Sequence, residues 1–369
     1  MRIKIKIYER GIPMNKKTIA ILFGGCSTEY EVSLQSTTSV VQNLDQNKYE
    51  VLLIGITRKG EWFRYDGGIE GIKNDTWHQN QHCVKAILSP CKDMQGIIEF
   101  RGNTIKRSKV DVVFPVLHGK NGEDGTVQGL LQLSGIPFVG CDTLSSALCM
   151  DKDVAHKIAN SVGVKTPQSV TIFEQTSIDE IVDLVQPLGF PVYVKPAKAG
   201  SSIGITKAEN KDQLLQGVIE ALKHDDKVVI EENIIGFEVG CAVLGNRDLI
   251  IGEVDQIELI SDFFDYKEKY TLETAKITLP AKIDNETKGR IKEIAEILYQ
   301  ALGCKGFSRV DMFLTVDGEI VFNEVNTIPG FTTKSRYPNM LCAAGFTYEA
   351  ILDQLINLAL EGELSDAEY

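Results

Sequence analysis

Apolar positions fall into short uninterrupted runs along most of the chain, separated by glycine-rich or charged turns. Lys17-Thr18-Ile19-Ala20-Ile21-Leu22-Phe23 has the pattern of a buried strand, and it ends in Gly24-Gly25. A helix is predicted from Ser36 to Leu44, followed by strands at Tyr49 to Thr57 and Val110 to Leu117. Between those two strands, Asp66 to Arg107 is polar and predicts an irregular, exposed segment. A helical pattern runs from Leu144 to Val162 and closes at Gly163-Val164-Lys165-Thr166-Pro167. Strands follow at Phe190 to Pro196, Val228 to Val239 and Leu249 to Ile257, the second reading as one strand that leaves one domain and enters the next. Ser261 to Tyr270, aromatic and charged without clean periodicity, predicts a long loop of the kind that serves as a lid. This alternation of strands and helices predicts an α/β fold.

The sharpest signal is Ser308 to Asn326, in which two β-favouring runs flank Asp317-Gly318, a strong short-range hairpin signature. A two-residue loop at Asp317-Gly318 puts Asp311 opposite Glu324 and Arg309 opposite Asn326, with all four on one sheet face. Facing carboxylates repel each other. A hard divalent cation would compensate, because Mg2+ takes oxygen ligands from a few protein groups together with phosphates and water. Arg309 could hold an anionic group beside the metal. An exposed hairpin with scattered polar residues is the competing reading, and the apolar residues on both strands argue against it.

Other stretches suit anion and nucleotide chemistry. Gly24-Gly25-Cys26-Ser27-Thr28-Glu29 joins a strand to a helix, whose N-terminus offers free N–H groups to an anion, although G-x-G-x-x-G is absent. His118 stands at the end of a buried strand, where open α/β sheets bind ligands, and a glycine-rich run follows it. Lys195 leads into Ala197-Lys198-Ala199-Gly200-Ser201-Ser202-Ile203-Gly204, a flap whose backbone N–H groups can wrap phosphate oxygens. It is not a Walker motif, and a plain surface loop is the alternative. Glu231 and Glu238 frame a crossing strand whose backbone can bond an adenine edge and whose second acid can take ribose hydroxyls.

Size, charge and thiols narrow the class. At 369 residues the chain is long enough for two or three cored domains, and 43% hydrophobic with 24% charged residues reads as soluble and globular. A net charge of -12 argues against general nucleic-acid or membrane-surface binding. The eight cysteines include no C-x-x-C pair and sit mostly in apolar runs, which is cytosolic thiol usage; Cys83 and Cys91 lie in a polar region. No run approaches a membrane span and no signal peptide is visible, so a cytoplasmic location is expected. Met1 to Pro13 is basic and precedes Met14, consistent with an upstream start or an edge extension.

Taken together, Lys195 with its flap, Glu231 and Glu238, a Lys-Tyr lid and the Arg309, Asp311, Glu324, Asn326 set resemble the ATP-grasp enzymes. More narrowly, Gly-Gly-Cys-Ser-Thr-Glu-Tyr-Glu-Val-Ser, Leu-His-Gly-Lys-Asn-Gly-Glu-Asp-Gly, Met-Asp-Lys, Lys-Pro-Ala-Lys-Ala-Gly-Ser-Ser-Ile-Gly, Asp-Tyr-Lys-Glu-Lys-Tyr and Asn-Glu-Val-Asn-Thr-Ile-Pro-Gly-Phe-Thr resemble the D-alanine:D-alanine ligase family, in order from Lys17 onward. The resemblance implies a three-domain α/β ATP-grasp architecture with an N-terminal Rossmann-like domain. Its divisions would be an extension at 1–16, a substrate-binding domain at 17–140, a central domain at 141–233 and a C-terminal domain at 234–369 carrying lid and metal site.

The same resemblance implies chemistry. ATP phosphorylates the first D-alanine carboxylate, and a second amine attacks the acylphosphate. Asp311, Glu324 and Asn326 would hold Mg2+, as two ions, with Mn2+ an alternative. Lys152, Lys195 and Lys269 would add positive charge to the nucleotide, which Ser202, Glu231, Ile234 and Glu238 help to bind. Arg309 and the Gly330 N–H would form the oxyanion hole. Glu29 would receive the first ammonium, Ser201 and Tyr270 would lock flap and lid onto Glu29, His118 would lie near the first carboxylate, and Ser335 would hold the second. A homodimer is implied.

The chain reads Thr333-Lys334-Ser335-Arg336-Tyr337 where the usual ligases carry leucine after the serine. Arginine brings donors for a hydroxyl that are costly to leave facing a methyl, and it resembles the vancomycin-resistance D-alanine:D-serine ligases of VanC and VanG type. An Arg336 that points to solvent or pairs with a nearby acid is the competing reading. D-serine is therefore the expected second substrate and D-alanine the alternative. The lid lacks the Phe-Arg loop of D-alanine:D-lactate ligases, which disfavours lactate. A nicotinamide-dependent oxidoreductase using Gly24-Gly25, and a non-catalytic nucleotide sensor, are the readings from other classes. The first leaves the acidic hairpin unexplained, and the second has no use for Glu29, Ser201 and Tyr270 together.

Overall fold

A computed structural model describes residues 16–79, 81–259 and 275–366. Lys269, Tyr270 and the loop read as a lid lie outside the described residues, as does the N-terminal extension up to residue 15.

Three sheets succeed one another along the chain. The first contains β1 (Lys17–Gly24), β2 (Tyr49–Ile56), β3 (Trp62–Tyr65), β4 (Cys83–Leu88), β5 (Gly96–Arg101), β6 (Thr104–Lys109) and β7 (Val112–Val116), in the order β6-β5-β4-β3-β2-β1-β7. β1 runs parallel to both β2 and β7 and is fully buried from Ile19 to Phe23, as its unbroken apolar run requires. The expectation of an irregular segment from Asp66 to Arg107 is overturned: β4, β5 and β6 extend the sheet as antiparallel hairpins. Their polarity belongs to a wet edge. β6 is exposed along nearly its whole length, and such a strand alternates too weakly to stand out by pattern.

Helix α1 spans Tyr30–Asn43, six residues earlier than predicted, and α2 (Ile69–Lys73) and α3 (Thr126–Ser134) complete this half. The single helix expected from Leu144 to Val162 is two, α4 (Thr143–Met150) and α5 (Lys152–Ser161). Asp151 divides them: its backbone is extended and its side chain accepts from Val154 N at 3.2 Å, an N-cap that stabilises α5 by about 1 kcal/mol. The cap places Lys152 at the first position of α5, facing the flap.

The second sheet has β8 (Ser169–Phe173), β9 (Val192–Pro196), β10 (Thr206–Ala208) and β11 (Lys227–Glu232) in the order β10-β9-β11-β8, covered by α6 (Ile178–Val185) and α7 (Lys211–Ala221). The third has β12 (Gly236–Leu244), β13 (Ile250–Ile251), β14 (Asp255–Leu259), β15 (Ala275–Thr278), β16 (Phe307–Thr315) and β17 (Ile320–Asn326). Its order is β15-β14-β12-β16-β17, with β13 on β12. The one strand expected at Val228 to Val239 is thus two, β11 in one sheet and β12 in the next, broken at 233–235.

Helices α8 (Asn285–Ala301), α9 (Arg336–Ala343) and α10 (Tyr348–Asp366) follow. Phe307, Phe331, Tyr337 and Met340 share one core with Ile19, Ile21 and Phe23, so the segment after β17 docks on the first sheet. No helix among the described residues is long and apolar enough to cross a membrane.

Candidate active site

The site is built on the β16–β17 ribbon. Its turn holds three residues, not two: Thr315 N bonds Glu319 O at 2.9 Å, Gly318 N bonds Thr315 O at 3.0 Å, and Gly318 takes φ +78°. A three-residue loop alone would pair Asp311 with Asn323 and turn Glu324 to the other face. The register slips between Asp311 and Met312, leaving Asn323 as an extra bulged residue, and the pairing becomes Asp311 with Glu324 and Arg309 with Asn326. The expected juxtaposition stands, through two departures that cancel.

Asp311 is buried and saturated with donors. Arg309 Nε approaches its two oxygens at 2.8 and 3.0 Å, Arg309 Nη2 lies 2.7 Å from Oδ2, and Asn326 Nδ2 donates to Oδ2 at 2.9 Å. Glu324 lies 3.5 Å from Lys152 Nζ, which donates to Ala199 O of the flap at 2.8 Å.

A row runs across the third sheet at this level: Glu324 on β17, Asp311 on β16, Gly240 on β12 and Asp255 on β14. Gly240 is the gap in the row, and the Arg336 guanidinium lies over it. Arg336 meets Asp255 with two bonds, Nε–Oδ2 at 2.7 Å and Nη2–Oδ1 at 2.8 Å. Its Nη1 donates to Glu238 at 2.7 Å and stands 3.3 Å from Asp311. A Cβ at position 240 would collide with Arg336 Nη2 and come 2.8 Å from Asp255 Oδ1, so only glycine leaves this seat open. Arg336 therefore points inward, not to solvent, and pairs with three nearby acids, as the competing reading allowed; two of them are sequence candidates. Asp255 and Gly240 were missed; an aspartate inside the apolar run Leu249 to Ile257 was the available signal.

The oxygen donors of Asp311, Glu324 and Asn326 suit a hard cation that shares its shell with phosphate and water. Among the described residues no three His, Cys, Asp or Glu side chains form a ready cage. Arg309 and Arg336 now supply the positive charge at Asp311.

A cavity of about 650 Å³ opens beside this row, between the second and third sheets. Lys152, Lys195, Ser201, Ser202, Glu231, Ile234, Glu238 and Glu324 line it. Its size is that of a small-molecule site. Lys195 pairs with Glu231, two buried charges on neighbouring strands β9 and β11. Burial acts to raise the Glu231 carboxyl, and the opposing interactions together, with Lys195 foremost, hold its pKa below the usual carboxylate range.

A smaller cavity adjoins, shared through Lys152, Gly200, Ser201 and Glu324, and it reaches Glu29, Glu123 and Asn326. Ser201 donates to Glu29, so flap and first helix meet as expected. Ser201 and Ser202 both have left-handed backbones, φ +53° and +58°. Tyr270, the third member expected here, lies outside the described residues.

His118 and Glu123 clamp one residue from both sides. His118 Nδ1 donates to Ile328 O at 2.8 Å, and Ile328 N donates to Glu123 Oε1 at 2.9 Å. Ser36 Oγ lies 3.3 Å from His118 Nε2 and accepts from Phe331 N at 3.1 Å. The segment carrying Gly330 is thus tied to the first sheet's loops. Burial lowers the His118 pKa, which keeps the ring neutral. Burial and the nearby Glu29 raise the Glu123 pKa to about 8. The sequence reading gave Glu123 no role. Ser335 Oγ accepts from Thr332 N at 3.0 Å and heads α9 beside Gly330.

Residues 18–141 match the family model described as D-ala D-ala ligase N-terminus, and residues 158–357 the one described as D-ala D-ala ligase C-terminus. The crystal structure of the VanG D-Ala:D-Ser ligase from Enterococcus faecalis superposes with a TM-score of 0.87 at 54% identity, covering 93% of this chain and 99% of that one. A putative D-alanine–D-lactate ligase of Streptomyces coelicolor is 44% identical over 95% of this chain and all of its own length. A D-alanine–D-alanine ligase of Caldicellulosiruptor bescii is 42% identical over 94% of this chain and 96% of its own. Relatives named for three different second substrates thus match along nearly the whole chain, the D-Ala:D-Ser ligase at 54% identity and the other two at 44% and 42%. With both family models matched in order and the fold shared along nearly its whole length, this chain belongs to the D-alanine–D-alanine ligase family of ATP-dependent ligases with an ATP-grasp fold and an N-terminal domain.

Proposed function

We propose that the chain joins D-alanine to D-serine for a peptidoglycan precursor that confers vancomycin resistance, acting in the cytoplasm as a homodimer. The observation that carries the D-serine assignment is Arg336 in its seat over Gly240. Bidentate contact with Asp255 fixes the guanidinium plane, and its outer donors turn toward the shared acids. The acids match the charge of Arg336, and a hydroxyl on the second substrate would accept an N–H that they do not take up, whereas a methyl offers that donor nothing.

We divide the chain at 140/141 and 233/234, with ATP held between the central and C-terminal domains. In this reading Lys152, Lys195, Ser202 and Lys269 meet the phosphates, Glu231 and Ile234 the base, and Glu238 the ribose. Asp311, Glu324 and Asn326 would hold Mg2+ or Mn2+, which would neutralise phosphate charge when bound. Glu29 takes the first D-alanine ammonium, and His118, neutral and near the first carboxylate, orients without adding charge. The γ-phosphoryl group passes to that carboxylate, and the D-serine amine attacks the acylphosphate. Arg309 and the Gly330 N–H stabilise the oxyanion of that attack. Ser335 holds the D-serine carboxylate. Ser201 and Tyr270 close flap and lid over Glu29, excluding water that would hydrolyse the acylphosphate.

Phosphate release tests this. It is expected to need D-alanine and a divalent ion and to be stimulated by D-serine; release unaffected by D-serine would favour an ordinary D-alanine:D-alanine ligase.

A further inference from the structure

His156 has no part in the chemistry above, yet it is buried between the two halves of the site. It stands four residues after Lys152 on α5, on the same helix face, and is 3% exposed. Its Nε2 lies 2.8 Å from the carbonyl oxygen of Asn323, the bulged residue of β17. A carbonyl only accepts, so Nε2 carries the proton and the tautomer is fixed. The ring sits edge-on to Phe322, 5.6 Å between centroids, and the Phe322 N–H is held by Lys165 O at 2.8 Å. On its other side, His156 Nδ1 is 3.8 Å from Glu231 Oε1. Both atoms are buried without a hydrogen-bond partner among the described residues. A lone pair facing a carboxylate oxygen is an unfavourable contact. The Asn323 bond outweighs it in fixing the ring.

A bulge leaves its extra residue outside the ladder, so its carbonyl needs another partner and its geometry another restraint. His156 provides both. We propose that His156 is a positioning residue for Glu324: by holding the Asn323 carbonyl it keeps the bulge that brings Glu324 opposite Asp311, and so sets divalent-ion affinity from outside the ligand set. This rests on the metal assignment proposed above. Residues that orient metal ligands from a distance typically cost about 10- to 100-fold in metal affinity when replaced.

The test is Mn2+ binding to the full-length protein with ADP present, followed by electron paramagnetic resonance of free Mn2+, together with thermal midpoints. His156→Leu removes the donor; His156→Gln keeps an N–H close to Nε2. The expected result is a tenfold or greater weakening in the leucine variant, affinity within about threefold of wild type in the glutamine variant, and a divalent-ion requirement for catalysis raised while the KM for D-alanine is unchanged. A folded His156→Leu that binds Mn2+ as wild type does overturns the proposal. If the leucine variant does not fold, the glutamine variant decides: retained affinity supports the proposal, and a tenfold loss in a folded protein overturns it. Glu324→Gln is the control. Unchanged Mn2+ binding there strikes the metal assignment, whereas weakened binding there with none in His156→Leu strikes the His156 inference alone.

Discussion

Asp311 and Glu324 face each other across neighbouring strands because the residue before Glu324, Asn323, is an insertion in the ladder. Deleting Asn323 closes the bulge into a regular three-residue hairpin and leaves Glu324, now next to Phe322, opposite Asp311. Steady-state kinetics should therefore show a loss of about 10²-fold or more in kcat/KM for Glu324→Gln and a markedly smaller loss for the deletion. Equal losses in the two variants would separate the facing pair from the chemistry.

Arg336 pairs with Asp255 and also serves Glu238. Arg336→Leu strands buried charge and should lower stability by about 3–5 kcal/mol in urea unfolding. Adding Asp255→Asn should recover part of that loss, because the stranded charge is then gone. The single variant should also move substrate preference toward D-alanine.

Ser201 holds Glu29 from a left-handed backbone, so Ser201→Gly removes the hydroxyl and leaves the φ of +53° accessible. A hydrogen bond to a charged group contributes about 1.5–3 kcal/mol, equivalent to roughly 10- to 100-fold. A kcat reduced by that factor, with the KM for ATP little changed, is the expected kinetic result.

Glu123 sets a pH dependence. Its carboxyl holds a proton to about pH 8 in the folded protein, against an ordinary value of 4.5. Between those values the folded state binds more protons than the unfolded one, so stability falls as pH rises through the window. Glu123→Gln should flatten that part of the profile of thermal midpoint against pH, whatever its effect on the absolute midpoint.

The sequence carried the chemistry of this site better than its geometry. The pairing of Asp311 with Glu324 was legible from an Asp-Gly turn, but the extra loop residue and the compensating bulge were not, since each shifts register by one and no side-chain pattern records the sum. Buried β1 was plain because its apolar run is unbroken. β6 was hidden because an edge strand exposes both faces, and β4 and β5 because each is short and mixes buried with exposed positions. Asp151 looked like one more polar position in a long helix, and its capping role depends on a backbone conformation that periodicity does not report. The seat of Arg336 needs Gly240, Asp255 and Asp311 from three strands, a relation set by tertiary register alone.

The most direct measurement is mass-spectrometric analysis of the dipeptides formed from ATP, Mg2+ and an equimolar mixture of D-alanine and D-serine. D-alanyl-D-serine as the dominant product is the predicted result. Dominant D-alanyl-D-alanine would contradict the account of Arg336, and no dipeptide at all would contradict the ligase site as assigned.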